Sequence, residues 1–325
     1  MSKYGVSVWG IGNHARQRIL PKLISCNELY LIGVCSRSEK KVNLCANEFS
    51  CIGWTNPDDM LSNEELKVVY ISSPIGVHFE MAKMILDTGK NVWCEKPLTC
   101  NLSHTNQLIE KARESKRMIA EAFMFFYHPQ FQIIKNLVVT KEFGEIYSVV
   151  CRFEIPNLDF PGFRNKKKLC GGAFWDVGSY PVAAVLDLFE SQNVEVLFSQ
   201  IIKNNESEVD SFGRAILQFS EGATAYIEWG VGSAYKNELD ILAENGSIYT
   251  DKIFSKPDNY MPKLRVRNKF GDESYTDVQK SDQFVEMFKE FTKISKSSIK
   301  IEKEYNQIYR RAKVMNEILE LSKLT

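Results

Sequence analysis

Apolar and polar residues follow two different rhythms along the first third of the chain. Short apolar runs, each long enough for one strand, are separated by stretches in which apolar residues recur at helical spacing. The predicted strands cover residues 6–9, 29–34, 68–71, 91–94 and 118–120. Strands that alternate with helices predict an α/β domain with a doubly wound parallel sheet, here over residues 1–122.

The rhythm changes after Tyr127-His128-Pro129, where one further helix is predicted up to about Thr140. Runs of alternating apolar and polar residues then follow at 145–155, 194–202, 212–219, 224–231 and 238–243. Turns that contain Gly222 and Gly246 separate successive runs, which is typical of antiparallel strands. Helical spacing returns at 282–296 and 302–323. The second domain, residues 123–325, is therefore predicted to be α+β with a large, mainly antiparallel sheet.

A glycine turn directly after the first strand gives the first chemical signal. The residues from Gly10 to Ala15, GIGNHA, match G-x-G-x-x-G/A between a strand and a helix. In dinucleotide sites the first glycine permits the turn, the second lets the backbone approach a pyrophosphate, and the helix N-terminus binds phosphate. Glycines in turns are often only structural. The strand–turn–helix context favours the dinucleotide site.

The end of the second strand indicates which dinucleotide is bound. NAD-binding proteins of this class usually place Asp or Glu there, on the ribose 2′-hydroxyl, whereas this chain has Cys35-Ser36-Arg37-Ser38. A carboxylate would repel a 2′-phosphate, but Ser36 and Arg37 can bind it by charge-assisted hydrogen bonds. The expected cofactor is NADP(H) rather than NAD(H). The alternative is that Arg37 is a solvated loop residue.

Composition and charge narrow the classes of partner. The chain has 325 residues, 44% hydrophobic and 25% charged, which is enough for two cores, and the equal counts of 41 basic and 41 acidic residues give no net charge. No nucleic acid and no membrane is therefore expected as a partner. No signal-peptide pattern precedes the first strand, and the longest uncharged apolar run, 122–134, is too short to span a bilayer, so a cytoplasmic protein is expected. The cysteines form no C-x-x-C pair, so no metal site is predicted.

Polar side chains next to glycine or proline mark three candidate segments. Lys96, in Glu95-Lys96-Pro97, directly follows a strand, at the sheet edge where ligands bind, although a lysine there is usually only solvated. The preceding strand ends at a segment that contains Ser73, Pro74 and His78. After Gly171-Gly172, Asp176 and Tyr180 lie four residues apart, so one helical face can present both to the same ligand.

These motifs together resemble the glucose-fructose oxidoreductase, inositol dehydrogenase and rhizopine-catabolism family. G-x-G-x-x-A, S-P-x-x-x-H, E-K-P and G-G-x-x-x-D-x-G-x-Y occur in the family's order and spacing, over almost the whole chain. The resemblance implies a Rossmann domain followed by a mixed-sheet substrate domain. Where much of the family has a catalytic His, this chain has Tyr180, as in the branch of sugar-nucleotide ketoreductases and xylose and dihydrodiol dehydrogenases. That branch often has arginine where this chain has Phe126.

The resemblance assigns roles to the residues of these motifs. In the leading hypothesis Tyr180 exchanges the proton, and Lys96 either polarises the same substrate oxygen or lowers the pKa of Tyr180. Asp176 is the third candidate catalytic residue. The motifs and the resemblance together predict cofactor contacts at Gly10, Ile11, Gly12, Asn13, His14, Ser36, Arg37, Ser73, Pro74, His78, Glu95 and Lys96. The predicted substrate contacts are Lys96, Arg164, Trp175, Asp176, Tyr180 and Tyr235. His78 and Trp175 also have plainer interpretations, as structural and packing residues respectively.

The expected function is NADP(H)-dependent oxidoreduction at a sugar carbon, most simply reduction of a keto group on a nucleotide-linked sugar. Two alternatives stay open: a dehydrogenase of free sugars or diols, and a regulator that senses the dinucleotide without turnover. A homodimer or homotetramer is also expected. It would form through the open face of the second sheet, to which Tyr226, Ile227 and Trp229 are assigned.

Overall fold

A computed structural model of the protein describes residues 3–159, 161–203 and 208–323. The chain divides into two compact units. The first unit runs to Ala122 and also includes Phe284–Ala312. The second begins at Phe123, runs to Gln283 and resumes at Lys313.

A six-stranded parallel sheet forms the centre of the first unit. Its strands are β1 (Tyr4–Trp9), β2 (Leu29–Cys35), β3 (Ile52–Trp54), β4 (Val68–Ile71), β5 (Asn91–Cys94) and β6 (Ile119–Glu121). Their order is β3-β2-β1-β4-β5-β6 with every neighbouring pair parallel, which confirms the predicted doubly wound sheet. The sequence pattern does not predict β3, because a three-residue edge strand with an exposed Ile52 has almost no periodicity. The order reverses at β1 and β4, which is where such sheets bind ligands.

An eight-stranded sheet forms the second unit. Its strands are β7 (Ile146–Ile155), β8 (Val194–Lys203), β9 (Asp210–Phe219), β10 (Thr224–Val231), β11 (Lys236–Ala243), β12 (Gly246–Asp251), β13 (Lys263–Asn268) and β14 (Glu273–Asp277). Their order is β14-β13-β12-β11-β7-β10-β9-β8, and only β7 and β10 pair in parallel. The predicted mainly antiparallel sheet is confirmed. It continues beyond the predicted strands through β12, β13 and β14.

Nine α-helices occur in the described residues, beside short 3₁₀ and π segments. They are α1 (Leu20–Ser25), α2 (Glu39–Phe49), α3 (Pro57–Leu61), α4 (His78–Asp87), α5 (Leu102–Ser115), α6 (Pro129–Val139), α7 (Ser179–Leu188), α8 (Gln283–Ile294) and α9 (Ser298–Ser322). By length and composition one helical stretch, Lys167–Leu188, could cross a membrane, but 67% of its most apolar window is buried inside the protein. That burial is typical of a core helix.

One face of the second sheet packs against α7, and this corrects an expectation. Ile227 and Trp229 are fully buried in the same core as Val182 and Val185 of the helix. Tyr226 points to the opposite face, where its hydroxyl donates to Glu228. The assignment of Ile227 and Trp229 to the open face beside Tyr226 is therefore wrong, since successive side chains of a strand point to opposite faces.

Residues 284–312 belong to the first unit, whereas the sequence assigned everything from 123 to 325 to the second. The rings of Phe288 and Phe291 on α8 lie 6.0 and 5.4 Å from that of Trp93 on β5. Tyr70 on β4 also contacts Phe288, edge-on at 5.7 Å. This difference arises because packing between residues almost 200 positions apart leaves no periodic trace in the sequence.

Candidate active site

The glycine turn is shaped to admit a phosphate group. Gly10 has φ of +111°, and a Cβ there would lie 2.4 Å from the carbonyl oxygen of Ser72, so only glycine fits. A Cβ on Gly12 would meet no atom within 4 Å, which leaves open space in front of this backbone. The helical segment begins at Asn13, and the small Ala15 is fully buried. A helix thus begins next to open space, and this arrangement fits a dinucleotide pyrophosphate.

Ser36 and Arg37 directly follow β2 at the same edge of the sheet. The backbone N–H of Ser36 donates to the Trp54 carbonyl at 3.1 Å and fixes the start of this loop. Arg37 is exposed, and within the described part of the chain its guanidinium has no hydrogen bond or ion pair. A guanidinium without a protein partner at this position fits a 2′-phosphate.

The loop after β5 is tied to the glycine turn by Glu95. Its carboxylate oxygen Oε1 accepts the Tyr70 hydroxyl at 2.6 Å and lies 2.9 Å from His14 Nε2. Burial raises the pKa of Glu95, but the charge and hydrogen bond of His14, the Tyr70 hydroxyl and nearby Lys96 outweigh it, so the pKa lies below its usual value. Glu95 is therefore anionic at neutral pH. The next residue, Lys96, is 8% exposed.

His78, a predicted cofactor contact with a structural alternative, makes two contacts with backbone carbonyls. It is fully buried, with Nδ1 3.1 Å from the Pro97 carbonyl and Nε2 2.8 Å from the Ser73 carbonyl. Its imidazole joins the loops that follow β4 and β5, which supports the structural interpretation, and the cofactor contact stays a prediction. Ser73 and Pro74 themselves remain partly exposed at the carboxyl edge of the sheet.

The second unit brings Asp176 together with Arg164. Arg164 Nε donates to Asp176 Oδ2 at 2.5 Å, and both side chains line a pocket of about 140 Å³. Asp176 lies in a π-helical turn, Phe174–Gly178, a distortion that often occurs at functional sites. The carboxylate of Asp176 compensates the charge of Arg164, and the predicted substrate contact of this arginine stays a prediction. The neighbouring Lys166, Lys167 and Lys168 are exposed.

Asp210 on β9 anchors this helix start and was not predicted. Its Oδ2 accepts the Phe174 N–H at 2.7 Å, and a Cβ on Gly172 would lie 2.1 Å from its Oδ1. Burial raises the pKa of Asp210 to about 6, although the hydrogen bond from the Phe174 N–H lowers it. The glycine pair thus makes room for a buried carboxylate, and the only sequence signal for Asp210 was that glycine pair.

Tyr180 presents its phenol inside an aromatic cluster. Its ring meets those of Phe123, Phe153 and Phe254 at centroid distances of 5.8, 5.1 and 5.4 Å, and its hydroxyl lies 3.9 Å from Met124 Sδ. The side chain is partly exposed. Such apolar walls hold the ring rigidly and strengthen any hydrogen bond that the hydroxyl makes to a ligand.

Three further residues that the sequence analysis singled out are Trp175, Tyr235 and Phe126. The ring of Trp175 lies 4.9 Å from that of Phe174, tilted by 59°, and packs against the core, in line with its plainer interpretation. Tyr235 is 49% exposed, and its hydroxyl accepts from Asn237. Phe126, where relatives often have arginine, is 9% exposed and packs on Phe125. The described residues contain no cluster of metal-ligating side chains.

Sequence reasoning also missed a buried polar cluster in the second unit. Lys256 is 6% exposed, its Nζ donates to the Ile253 carbonyl and to Gln283, and burial lowers its pKa to about 7. Burial and the charge of Lys256 lower the pKa of His128 to about 3. His128 is therefore a neutral imidazole, and its Nδ1 accepts the Gln130 N–H at the start of α6.

Comparison with known proteins identifies the family. Residues 4–123 match an oxidoreductase family model with an NAD-binding Rossmann fold, and residues 131–249 match the GFO/IDH/MocA C-terminal domain. A dTDP-3,4-didehydro-2,6-dideoxy-α-D-glucose 3-reductase from Saccharopolyspora spinosa is 29% identical over 81% of this chain and 79% of its own. D-xylose 1-dehydrogenase (NADP⁺) 2 from Haloferax volcanii is 28% identical over 71% of each chain.

The same architecture occurs among solved structures. A 3-ketoreductase from Actinomadura kijaniata, crystallised with NADP and TDP-benzene, superposes with a TM-score of 0.92 over 98% of both chains at 24% identity. The two family models together cover most of this chain, in the order that its motifs predict. The chain therefore belongs to the Gfo/Idh/MocA family of oxidoreductases, as its sequence motifs predicted.

Proposed function

We propose that this oxidoreductase uses NADPH to reduce a keto group on a nucleotide-linked sugar in the cytoplasm. The observation that carries the proposal is the similarity, over about four fifths of both chains, to reductases of a dTDP-linked keto sugar. Arg37 supports the choice of NADP(H), because its exposed guanidinium follows β2 where NAD-binding relatives place a carboxylate. Reduction in biosynthesis commonly uses NADPH, which agrees with this direction.

In this proposal two side chains act on the oxygen of the keto group. When bound, the nicotinamide supplies the hydride that reduces the carbon. The Tyr180 hydroxyl gives its proton to the oxygen, so that hydride and proton together complete the alcohol, and solvent restores the phenol proton. The Lys96 ammonium donates a hydrogen bond to the same oxygen and stabilises the charge that develops there. In the same proposal the Asp176 carboxylate, paired with Arg164, accepts a hydrogen bond from a sugar hydroxyl.

The solved relative gives independent support for this pair. Crystallised variants of the Actinomadura kijaniata ketoreductase replace one lysine and one tyrosine. Those two residues are separated in that chain by the same number of positions as Lys96 and Tyr180 here. We therefore propose Lys96 and Tyr180 as the catalytic residues of this chain.

The experiment is a substrate panel followed by NADPH absorbance. We expect oxidation of NADPH with thymidine- or uridine-diphosphate keto-sugars and little reaction with free xylose, glucose or diols. A clear preference for the unlinked compounds would favour the second candidate, a free-sugar dehydrogenase, which the similarity to D-xylose 1-dehydrogenase supports. NADPH binding without turnover on any compound would favour a regulator.

The cofactor preference depends on Arg37. Replacing it by alanine is expected to weaken NADPH binding by about 1 to 3 kcal/mol, because the charge-assisted hydrogen bonds to the 2′-phosphate are lost, and to leave NADH binding unchanged. Dissociation constants for both cofactors, measured by fluorescence titration of wild type and Arg37→Ala, test this. Lys40→Ala, which removes an exposed cation at the start of α2, is the matched control. Equal affinity of the wild type for NADPH and NADH would refute the assignment.

We further propose that the protein is a homodimer or homotetramer that pairs through the open face of the second sheet. Arg152 on this face forms ion pairs with both Glu228 and Glu238, at 2.9 Å each. The charged groups at the centre of the face therefore compensate one another. Leu197 on the edge strand β8 is 50% exposed, and Leu242 on the inner strand β11 is 51% exposed. Light scattering at micromolar concentration should give at least twice the monomer mass, and a monomer would contradict the proposal.

A further inference from the structure

A buried ion pair in the first unit holds the loop that carries Lys96. Glu121, the last residue of β6, and Arg311 on α9 are each 5% exposed. Arg311 Nε donates to Glu121 Oε2 at 2.6 Å, and the backbone N–H of Leu98 donates to Glu121 Oε1 at 2.6 Å. Each oxygen of this carboxylate therefore has its own donor.

The Leu98 contact fixes the backbone on one side of Lys96, and a second contact fixes the other side. The Glu95 N–H donates to the Ile71 carbonyl at 3.0 Å, so the loop is tied to β4 directly before the lysine. The carbonyl of Pro97, between Lys96 and Leu98, lies against His78. The Glu121 carboxylate completes a set of three buried attachments around a lysine that is itself nearly buried.

Stability alone does not account for this ion pair. Removing two charges from water costs several kcal/mol per ion, and well-packed apolar residues of similar volume often replace buried pairs without loss of stability. Arg311 also donates to Glu304 at 3.3 Å, so three charged groups are kept in this apolar surrounding. What the carboxylate provides that an apolar residue cannot is a strong acceptor for the Leu98 N–H.

We propose that Glu121 and Arg311 are positioning residues for Lys96, with Arg311 orienting the carboxylate and Glu121 fixing the Leu98 amide. This inference rests on the proposed role of Lys96 in the reduction. A displacement of about 1 Å in a group that meets the reacting atoms can reduce turnover by about 100-fold, so a rigid loop matters more for kcat than for substrate binding.

The first test is a cycle of variants, Glu121→Gln and Lys96→Met, singly and together, with kcat and KM for NADPH and the keto-sugar. Glutamine keeps the shape of the glutamate side chain, but one of its two terminal atoms is an amide nitrogen, which donates. It therefore cannot accept hydrogen bonds from Leu98 and Arg311 on two separate oxygens. We expect Glu121→Gln to lower kcat about 10- to 100-fold with KM for NADPH within about twofold, as a positional error predicts. When Lys96→Met is already present, adding Glu121→Gln should lower kcat no further. Equal losses in both backgrounds would show a general structural role and overturn the proposal.

The second measurement does not depend on turnover. Hydrogen exchange of the unliganded protein, followed by mass spectrometry, should show faster exchange in peptides that cover 95–99 in Glu121→Gln, with the rest of the sheet unchanged. Arg311→Lys keeps the charge and should give a smaller change of the same kind, and it replaces Glu121→Gln if that variant does not fold. Arg113→Gln, which breaks the more exposed pair with Glu302 between α5 and α9, is the control and should change neither readout.

The outcomes distinguish the positioning role of Glu121 and Arg311 from the proposed reduction of a keto-sugar. Faster exchange confined to 95–99 supports the positioning role even if no keto-sugar is reduced, in which case the proposed function fails alone. Unchanged exchange at 95–99, or faster exchange throughout the first unit, overturns the positioning role whatever the activity of the wild type.

Discussion

Tyr180→Phe is expected to lower kcat by about 10²- to 10⁴-fold, the usual contribution of a general acid, and to leave NADPH binding unchanged. The substitution removes only the hydroxyl. The ring should keep its contacts with Phe123, Phe153 and Phe254, so the aromatic cluster and the fold are preserved. Steady-state kinetics on the keto-sugar, with cofactor titration of the same preparations, measure both quantities.

Tyr147→Phe is the matched control, because this tyrosine is 54% exposed on β7 and has no proposed role. It should behave as wild type in every measurement. Turnover of Tyr180→Phe within about threefold of wild type would assign the proton transfer to Lys96, Asp176 or solvent instead. Unchanged thermal unfolding of the variant would show that the loss is chemical.

Lys96→Met should lower kcat by a similar factor, because methionine keeps most of the aliphatic chain and removes the ammonium that stabilises charge on the substrate oxygen. The double variant with Tyr180→Phe is expected to be little worse than either single one, since residues that act as a unit are strongly non-additive. Single-turnover kinetics separate this chemical effect from product release.

Lys90→Met is the matched control for Lys96→Met. Lys90 lies directly before β5, at the opposite end of the same strand, and is partly buried. Its loss should leave kcat unchanged. Fully additive losses in the Lys96→Met, Tyr180→Phe double variant would mean that the two residues serve different steps, contrary to the proposed mechanism.

Local patterns predicted most of the fold and indicated a candidate cofactor-binding edge, which stays a prediction. The glycine turn, the strands of the first sheet and the loop that carries Lys96 depend on neighbours close in sequence, so periodicity and motif spacing were sufficient. Ile227 and Trp229 show what periodicity alone could not predict. An alternating strand shows which residues share a face, but their burial depends on which face the helix α7 covers.

Long-range contacts account for the features that sequence reasoning missed. Glu121 and Arg311 lie 190 positions apart, and the pairing of Phe174 with Asp210 depends on β9 reaching the helix start. The two contacts of His78 with the carbonyls of Ser73 and Pro97 are further features that the sequence motif does not predict. The predicted second domain, 123–325, differs from the observed second unit for the same reason, because α8 packs against the sheet of the first unit.

The central claim is that this protein transfers hydride from NADPH to the keto carbon of a nucleotide-linked sugar. The most direct test uses NADPH deuterated at C4 of the nicotinamide, with each face labelled in a separate preparation, and a dTDP-linked keto-sugar. Mass spectrometry and NMR of the product should show deuterium at the former keto carbon from one of the two labelled preparations only. A product without deuterium from either preparation, or no reduced sugar although NADPH binds, would contradict the account.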